Sequence, residues 1–288
     1  MKEITIISGK GGTGKTTVTA ALANIWANKV LVDCDVDAAN LHLALHPQVL
    51  KTTDFYSGKK AEIDLEACTS CGRCKEVCRF KAIDADFRID DLSCTGCGAC
   101  TLVCPAGAVK LHSNLAGQWF VSETRVGTMV HAALGIAEDN SGKLVAQIRQ
   151  VAKQLAEEKQ LDTILIDGPP GIGCPVISAI TGVNLVLVVT EPSLSGLHDL
   201  KRIITLTKNF GIKALVCINK YDLNPDLASE ITAYCGQEGY PLVGKIPFHK
   251  GVVEGMANLS PKEYLLQNLP DKIKENIYSI YSRIQEYM

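Results

Sequence analysis

Short, unbroken apolar runs recur along the chain at residues 4–7, 30–32, 163–166, 185–189 and 215–218. Runs of this length predict strands buried on both faces of a sheet. Between them apolar residues recur at helical spacing: Leu144, Ile148, Val151, Ala152 and Leu155 in one stretch, Leu197, Leu200, Ile203, Ile204 and Leu206 in another. The alternation predicts an α/β domain with a mainly parallel sheet and helices on both faces. A last stripe, Ile273, Ile277, Ile280 and Ile284, predicts an amphipathic helix. Its tyrosines (Tyr278, Tyr281, Tyr287) and few basic residues favour docking on the core over a membrane surface.

The rhythm breaks between residues 60 and 112. Elements become short, cysteines cluster, and a pattern repeats: a cysteine run followed by Phe80-Lys81-Ala82-Ile83, then another followed by Pro105-Ala106-Gly107-Ala108-Val109. The strand–helix alternation resumes afterwards, so residues 60–112 read as a small pseudo-symmetric α+β domain. It is inserted into a larger one formed by residues 1–59 and 113–288.

Composition narrows the class. Of the 288 residues, 47% are hydrophobic and 21% charged, as in a folded globular protein. The net charge of −2 gives no global field for nucleic acid or an anionic membrane, and neither is an expected partner. No apolar run approaches the ~18 residues of a membrane span. Met1-Lys2-Glu3 leads straight into the first strand, with no expected export signal. Eight of twelve cysteines lie within residues 68–104; Cys34, Cys174, Cys217 and Cys235 are scattered. Clustered thiols without an export signal predict metal binding in the cytoplasm rather than disulfides.

Residues Gly9-Lys10-Gly11-Gly12-Thr13-Gly14-Lys15-Thr16 form the eight-residue phosphate-loop pattern, between a predicted strand and a helix predicted over residues 17–27. Glycines let backbone N–H groups curl around phosphate oxygens, and the helix start adds a favourable partial charge. Gly11, Gly12, Thr13, Gly14, Lys15, Thr16 and Thr17 are the expected nucleotide contacts. Lys15 would reach the β- and γ-phosphates, and the Thr16 hydroxyl would ligate Mg²⁺.

The second loop lysine, Lys10, gives a deviant Lys-Gly-Gly-x-Gly-Lys-Thr form. This resembles the Min-type and ParA-type ATPases, a family that includes the nitrogenase iron protein and cluster-assembly ATPases. The resemblance implies an ATP-bound homodimer in which Lys10 reaches the partner's phosphates; without it, Lys10 reads as an exposed loop lysine. The stretch Val32-Asp33-Cys34-Asp35 followed by Val36-Asp37-Ala38-Ala39-Asn40-Leu41 is similar to the family's switch I. Asp35 then stands where a carboxylate orients the attacking water near Mg²⁺, and Asp33 becomes a supporting partner. Asp37 reads equally as a helix cap.

Leu165-Ile166-Asp167-Gly168-Pro169-Pro170-Gly171 resembles the family's Walker B strand entering switch II, with Asp167 holding a Mg²⁺-bound water. Asn219, in Cys217-Ile218-Asn219-Lys220-Tyr221-Asp222, matches the adenine-contacting position, and its Asn-Lys-x-Asp form also resembles a guanine reader. Pro247 matches the loop beside the base. Both also read as ordinary turn residues after strands.

Cys68-x2-Cys71-x2-Cys74-x3-Cys78 and Cys94-x2-Cys97-x2-Cys100-x3-Cys104-Pro105 repeat the bacterial ferredoxin spacing. In that pattern the fourth cysteine of each run serves the other four-iron cluster. The resemblance assigns Cys68, Cys71, Cys74 and Cys104 to one [4Fe-4S] cluster, and Cys94, Cys97, Cys100 and Cys78 to the second. Gly72, Gly96, Gly98 and Ala99 would let N–H groups approach the sulfurs. A zinc ribbon takes paired Cys-x2-Cys units at longer separation and fits less well. Arg79 replaces the proline usual after the fourth cysteine. Arg73, Lys75, Arg79 and Lys81 make the first run basic, either as a docking patch or as a solvated face.

Cys174 lies seven residues after Asp167, where the nitrogenase iron protein has a cluster ligand; residues 126–142 lack the second cysteine that protein uses. Cys174 is therefore either a redox contact or a small apolar residue in a turn. The whole resemblance is to MinD-superfamily ATPases carrying an inserted ferredoxin domain. It implies ATP-driven dimer rearrangement coupled to electron transfer with a protein donor or acceptor. An ATP-dependent cluster carrier with a client protein, or a redox-sensing regulatory ATPase, are the alternatives.

Overall fold

The computed structural model describes residues 1–138, 141–252 and 265–288. Contacts divide the chain into two compact units. The first comprises Met1–Thr52, Trp119–Ala133 and Ser141–Met288; the second comprises Thr53–Gln118 and Leu134–Asn140.

The first unit is built on parallel strands β1 (Lys2–Ser8), β2 (Lys29–Asp33), β5 (Gly127–Leu134), β6 (Thr163–Pro170), β7 (Leu185–Thr190), β8 (Lys213–Asn219) and β9 (Leu242–Ile246). β3 (Gln48–Ile63) and β4 (Val109–Thr124) complete the strand order β3-β4-β5-β2-β6-β1-β7-β8-β9 among the described residues. All five predicted apolar runs lie in these strands. β1 shows why they are continuously apolar. Ile4 and Ile6 pack into the core with helix α1 (Lys15–Ile25), while the Thr5 hydroxyl on the opposite side donates to Ala179 O. Both faces are covered, so neither face of the strand can be polar and unpartnered. The stripe Ile273, Ile277, Ile280 and Ile284 is buried in the same core by the helix Asp271–Glu286, and Tyr281 meets Trp26 edge-on at 5.0 Å.

Three features differ from expectation. Helix α1 begins at Lys15, two residues before the predicted start, directly after Gly14, whose left-handed backbone turns the loop into the helix. The 16-residue strands β3 and β4 run well beyond the cysteine region, so the second unit extends past residues 60–112 and takes in Leu134–Asn140 as well. Most of β3 is exposed and the buried positions of β4 are scattered, so neither offered an apolar run to read. Residues 139 and 140, just before helix α5 (Ser141–Glu158), lie outside the described residues.

The second unit holds two short helices, α3 (Arg73–Val77) and α4 (Ala99–Val103), each opened by a glycine in left-handed backbone, Gly72 and Gly98. Gly96 is equally required: its φ is 66°, and a Cβ there would lie 1.8 Å from Lys59 O.

Candidate functional site

The carboxyl ends of β1, β2, β6, β7, β8 and β9 carry the chemistry, as the open-sheet rule for ligand placement requires. In the loop after β1, Gly12 and Gly14 adopt φ of 81° and 88°. This conformation allows successive N–H groups to face one anion. Thr13 Oγ1 is buried with no hydrogen-bond partner among the described residues. A buried hydroxyl unsatisfied at a helix start fits a phosphate oxygen, which would supply the missing acceptor.

Lys15 follows, 6% exposed, with Nζ 3.0 Å from Asp167 Oδ1 and 4.0 Å from Asp35 Oδ2. Burial works against its charge, but Asp167, Asp33 and Asp35 outweigh it and hold the ammonium above its ordinary pKa. Thr16 Oγ1 donates to Asp167 Oδ2 at 2.8 Å, and Thr19 Oγ1 donates to Asp167 Oδ1 at 2.9 Å. The Thr16 hydroxyl with the Asp35 and Asp167 carboxylates is the hard-oxygen set that Mg²⁺ takes.

Asp33 and Asp167 are partners across the β2·β6 pairing, and both are fully buried. Burial, then the Asp167 charge, raises the Asp33 pKa far above the usual carboxylate range. Asp33 accepts from the Asp35 N–H and the Leu41 N–H, each at 3.1 Å, and so staples both ends of the predicted switch I. Asp35 is raised chiefly by burial. Asp37 is not a helix cap: helix α2 (Leu41–Leu45) has Asn40 at that position, and Asp37 is exposed in the cavity lined by residues 11–17 and Asp35. Gly171, at φ 93°, donates its N–H to Ser8 O at 2.8 Å, bringing switch II to the end of β1.

On the other side of the loop Asn219 Nδ2 donates to Thr13 O at 2.7 Å, and Lys220 Nζ to Gly12 O at 2.7 Å. Asn219 and Pro247 line a largely apolar pocket with Thr17, Val18, Phe248 and Ile273. Lys10 turns within its own chain. Its Nζ is 2.7 Å from Glu191 Oε1 and donates to Ser195 Oγ at 2.9 Å. Glu191 Oε2 also takes Lys220 at 3.2 Å. Partial burial opposes the Glu191 charge, but the two lysines outweigh it and depress its pKa. Sequence reasoning missed Glu191 and Thr19. Glu191 directly follows β7, and that position was the available signal.

The sequence profile of the CobQ/CobB/MinD/ParA nucleotide binding domain matches residues 4–261. The chain belongs to that family. An uncharacterised protein of Methanocaldococcus jannaschii is 34% identical over 292 residues, covering 99% of this chain and 97% of that one. The septum site-determining protein MinD of Bacillus subtilis is 30% identical over 207 residues, covering 70% of this chain and 58% of that one. Among solved structures, MinD from Pyrococcus horikoshii complexed with Mg-ADP shares the fold. Its TM-score is 0.58 at 20% identity, covering 99% of this chain and 96% of that one. This chain is accordingly a MinD/ParA-like P-loop ATPase. No helix among its described residues is long and apolar enough to cross a membrane.

The second unit, within the span matched by the CobQ/CobB/MinD/ParA profile, gathers the eight clustered cysteines, and all twelve in the chain are free. Cys68, Cys74, Cys78, Cys94, Cys100 and Cys104 pack with Ala61, Ile63, Ile83 and Val109. The Cys74 thiol is raised chiefly by burial, with Cys68 and Cys104 adding to it; Cys100 is raised by burial, with Cys94 and Cys97 adding. Cys78 lines a pocket with Cys94, Cys97 and Cys100. The fourth cysteine of each run thus lies with the other run's cysteines, while Cys71 and Cys97 reach the surface.

Backbone donors face these sulfurs. The Ser70 N–H approaches Cys68 Sγ and the Ala82 N–H approaches Cys78 Sγ, each at 3.4 Å. Desolvation opposes the Cys104 thiolate, but N–H groups of Ala108, Val109, Ala106 and Gly107 outweigh it and depress its pKa. Among the described residues no three His, Cys, Asp or Glu side chains converge on one metal ion. Each thiolate of a four-iron cube takes its own iron, so convergence on one point is not its signature. Spread thiols with N–H donors behind them fit such a group. Cys174 opens helix α6 (Cys174–Ile180) and is exposed.

Proposed function

We propose that this ATPase couples nucleotide-driven rearrangement of a homodimer to electron transfer through two [4Fe-4S] clusters in its cysteine-rich unit. The observation that carries the reading is the crossed grouping of the cysteines: Cys104 beside Cys68 and Cys74, and Cys78 in one pocket with Cys94, Cys97 and Cys100. Such clusters, when bound, supply one-electron chemistry; the chain holds them by its thiolates and tunes them by its N–H groups. Cys71 would complete the first ligand set.

In the nucleotide site, Lys15 and the loop N–H groups hold the phosphates, and Thr16, Asp35 and Asp167 serve Mg²⁺ and its waters. Asp35 orients the attacking water. Asn219 and Pro247 hold the base. Phosphoryl transfer needs positioning and charge stabilisation above all: the stapled 35–41 segment beside a clamped Asp167 supplies the positioning, and Lys15 with the loop N–H groups supplies the charge stabilisation. Asp33 ends β2, Asp35 follows it, and Asp167 lies in the last half of β6, so γ-phosphate contacts made here bias the segments that follow, one of which leads toward the cysteines. The compartment is the cytoplasm, where reduced thiols persist.

Anaerobic purification with iron and sulfide analysis tests the clusters, and redox titration with ATP, ADP and no nucleotide tests the coupling. Equal midpoint potentials in all three states would remove the coupling and leave two separate activities. A second reading, a redox-sensing regulatory ATPase, is favoured by the similarity to septum site-determining proteins. Oxidation-dependent recruitment of a partner, without net electron flow, would select it.

A further inference from the structure

The two cysteine runs share one spacing but not one charge. The first carries Arg73, Lys75, Arg79 and Lys81 against a single anion, Glu76. The equivalent stretch of the second, residues 94–107, contains no charged residue. Cations that merely offset cluster charge would be needed at both runs, because both would hold the same kind of group. The asymmetry therefore calls for another cause.

All four cations are exposed, and none of them makes an ion pair among the described residues. Beside them Cys71 reaches the surface and Phe80 is half exposed. Helix α3, which carries Arg73 and Lys75, is about 7.5 Å long, and Arg79 and Lys81 follow directly. A weak redox encounter buries about 600 Å² per partner, a footprint roughly 28 Å across. The segment from Cys71 to Lys81 therefore lies within the span of one such footprint. The chain as a whole carries a charge of −2, so attraction of an anion must come from this local field.

We infer that the surface of the first cysteine run, from Cys71 to Lys81, is the docking face for an acidic electron-carrier protein. The inference rests on the cluster reading above. In the exchange one electron leaves the reduced iron–sulfur centre of the carrier and enters this chain at the first run; no bond forms or breaks and no proton moves. The carrier is recognised by its carboxylates, with Phe80 supplying the apolar contact that fixes the encounter.

The test titrates the anaerobically purified full chain, by calorimetry, with a two-cluster ferredoxin of strongly negative net charge. Raising salt from about 20 mM to about 300 mM should weaken Kd at least ~10-fold, since screening shortens the reach of the field. The variant R73Q/K75Q/R79Q/K81Q should weaken Kd at least ~10-fold at low salt while keeping its iron, sulfide and ATPase activity. The control K110Q, just beyond the second run, should change it less than ~2-fold.

Salt-insensitive affinity would overturn the inference. So would wild-type affinity in a quadruple variant that keeps its iron, or tighter binding of a single-stranded oligonucleotide than of the ferredoxin. If the quadruple variant loses its iron, the doubles R73Q/K75Q and R79Q/K81Q decide the same question. A preparation that never holds iron refutes the cluster reading instead, and is told apart by the iron and sulfide analysis.

Discussion

Lys10 Nζ sits 2.7 Å from Glu191 Oε1 of its own chain, and Glu191 holds Lys220 as well. Under the proposed function this lysine reaches the phosphates of a partner chain, so closing the dimer would break the pair. A partly exposed ion pair contributes about 0.5–1 kcal/mol. Glu191→Gln should therefore strengthen ATP-dependent dimerisation by roughly 2–5-fold, read by sedimentation with and without ATP. Lys10→Ala should abolish both dimerisation and ATP hydrolysis. Weaker dimerisation of Glu191→Gln would mean that Glu191 supports the closed state instead.

Thr19 reaches the site through Asp167, whose Oδ1 its hydroxyl holds at 2.9 Å, with Lys15 O as a second acceptor at 3.0 Å. Thr19→Val keeps the shape and removes the bond, leaving a buried carboxylate oxygen with Lys15 alone. The expected cost is about 1–2 kcal/mol in stability. The ATPase kcat should fall roughly 5–10-fold, with a shifted Mg²⁺ dependence. Thr19→Ser should restore most of the loss.

Two glycines of the phosphate loop should respond oppositely to alanine. A Cβ at Gly9 would lie 2.1 Å from Asp199 Cβ, whereas a Cβ at Gly11 meets nothing within 4 Å. Gly9→Ala must displace helix α7 (Leu194–Asn209) and should cost at least ~2 kcal/mol. Gly11→Ala should leave nucleotide-free stability within about 0.5 kcal/mol. Denaturant melts of both variants check this directly.

His131 stacks on Phe120 at 5.0 Å and on His42 at 6.4 Å, and burial, then His42, lowers its pKa to about 4. An unfolded histidine takes up its proton near pH 6.5, so between pH 6.5 and 4 the unfolded state binds more protons. Stability is then full above that window and falls as pH drops through it, by about 1–2 kcal/mol after solvent screening. His131→Phe should flatten this part of the pH profile, measured by urea denaturation at pH 7 and pH 5.

Cys78 stands in sequence with the first run but in space with Cys94, Cys97 and Cys100. Under the proposed function, Cys78→Ala should lower iron from about eight to about four per chain and spare the first run's cluster. Paramagnetic resonance of the reduced protein reads which signal remains. Loss of the first cluster alone would refute the crossed assignment.

Much of this molecule was legible in one dimension. The parallel sheet could be read because strands covered on both faces must be apolar throughout, as residues 4–7 and 185–189 are. The phosphate loop could be read because backbone curvature requires glycine at fixed spacing. The gathering of the cysteines could be read because the eight lie close in sequence as well as in space. By contrast, β3 and β4 left no apolar run, since most of β3 is exposed and the buried positions of β4 are scattered.

Partnerships between distant residues were decided only by the tertiary structure. It set Asp33 opposite Asp167, tied Asp33 to both ends of the 35–41 segment, and turned Lys10 onto Glu191. Each depends on which strand ends the sheet order brings side by side. A charge's effect falls with distance in space, and distance along the chain does not encode it.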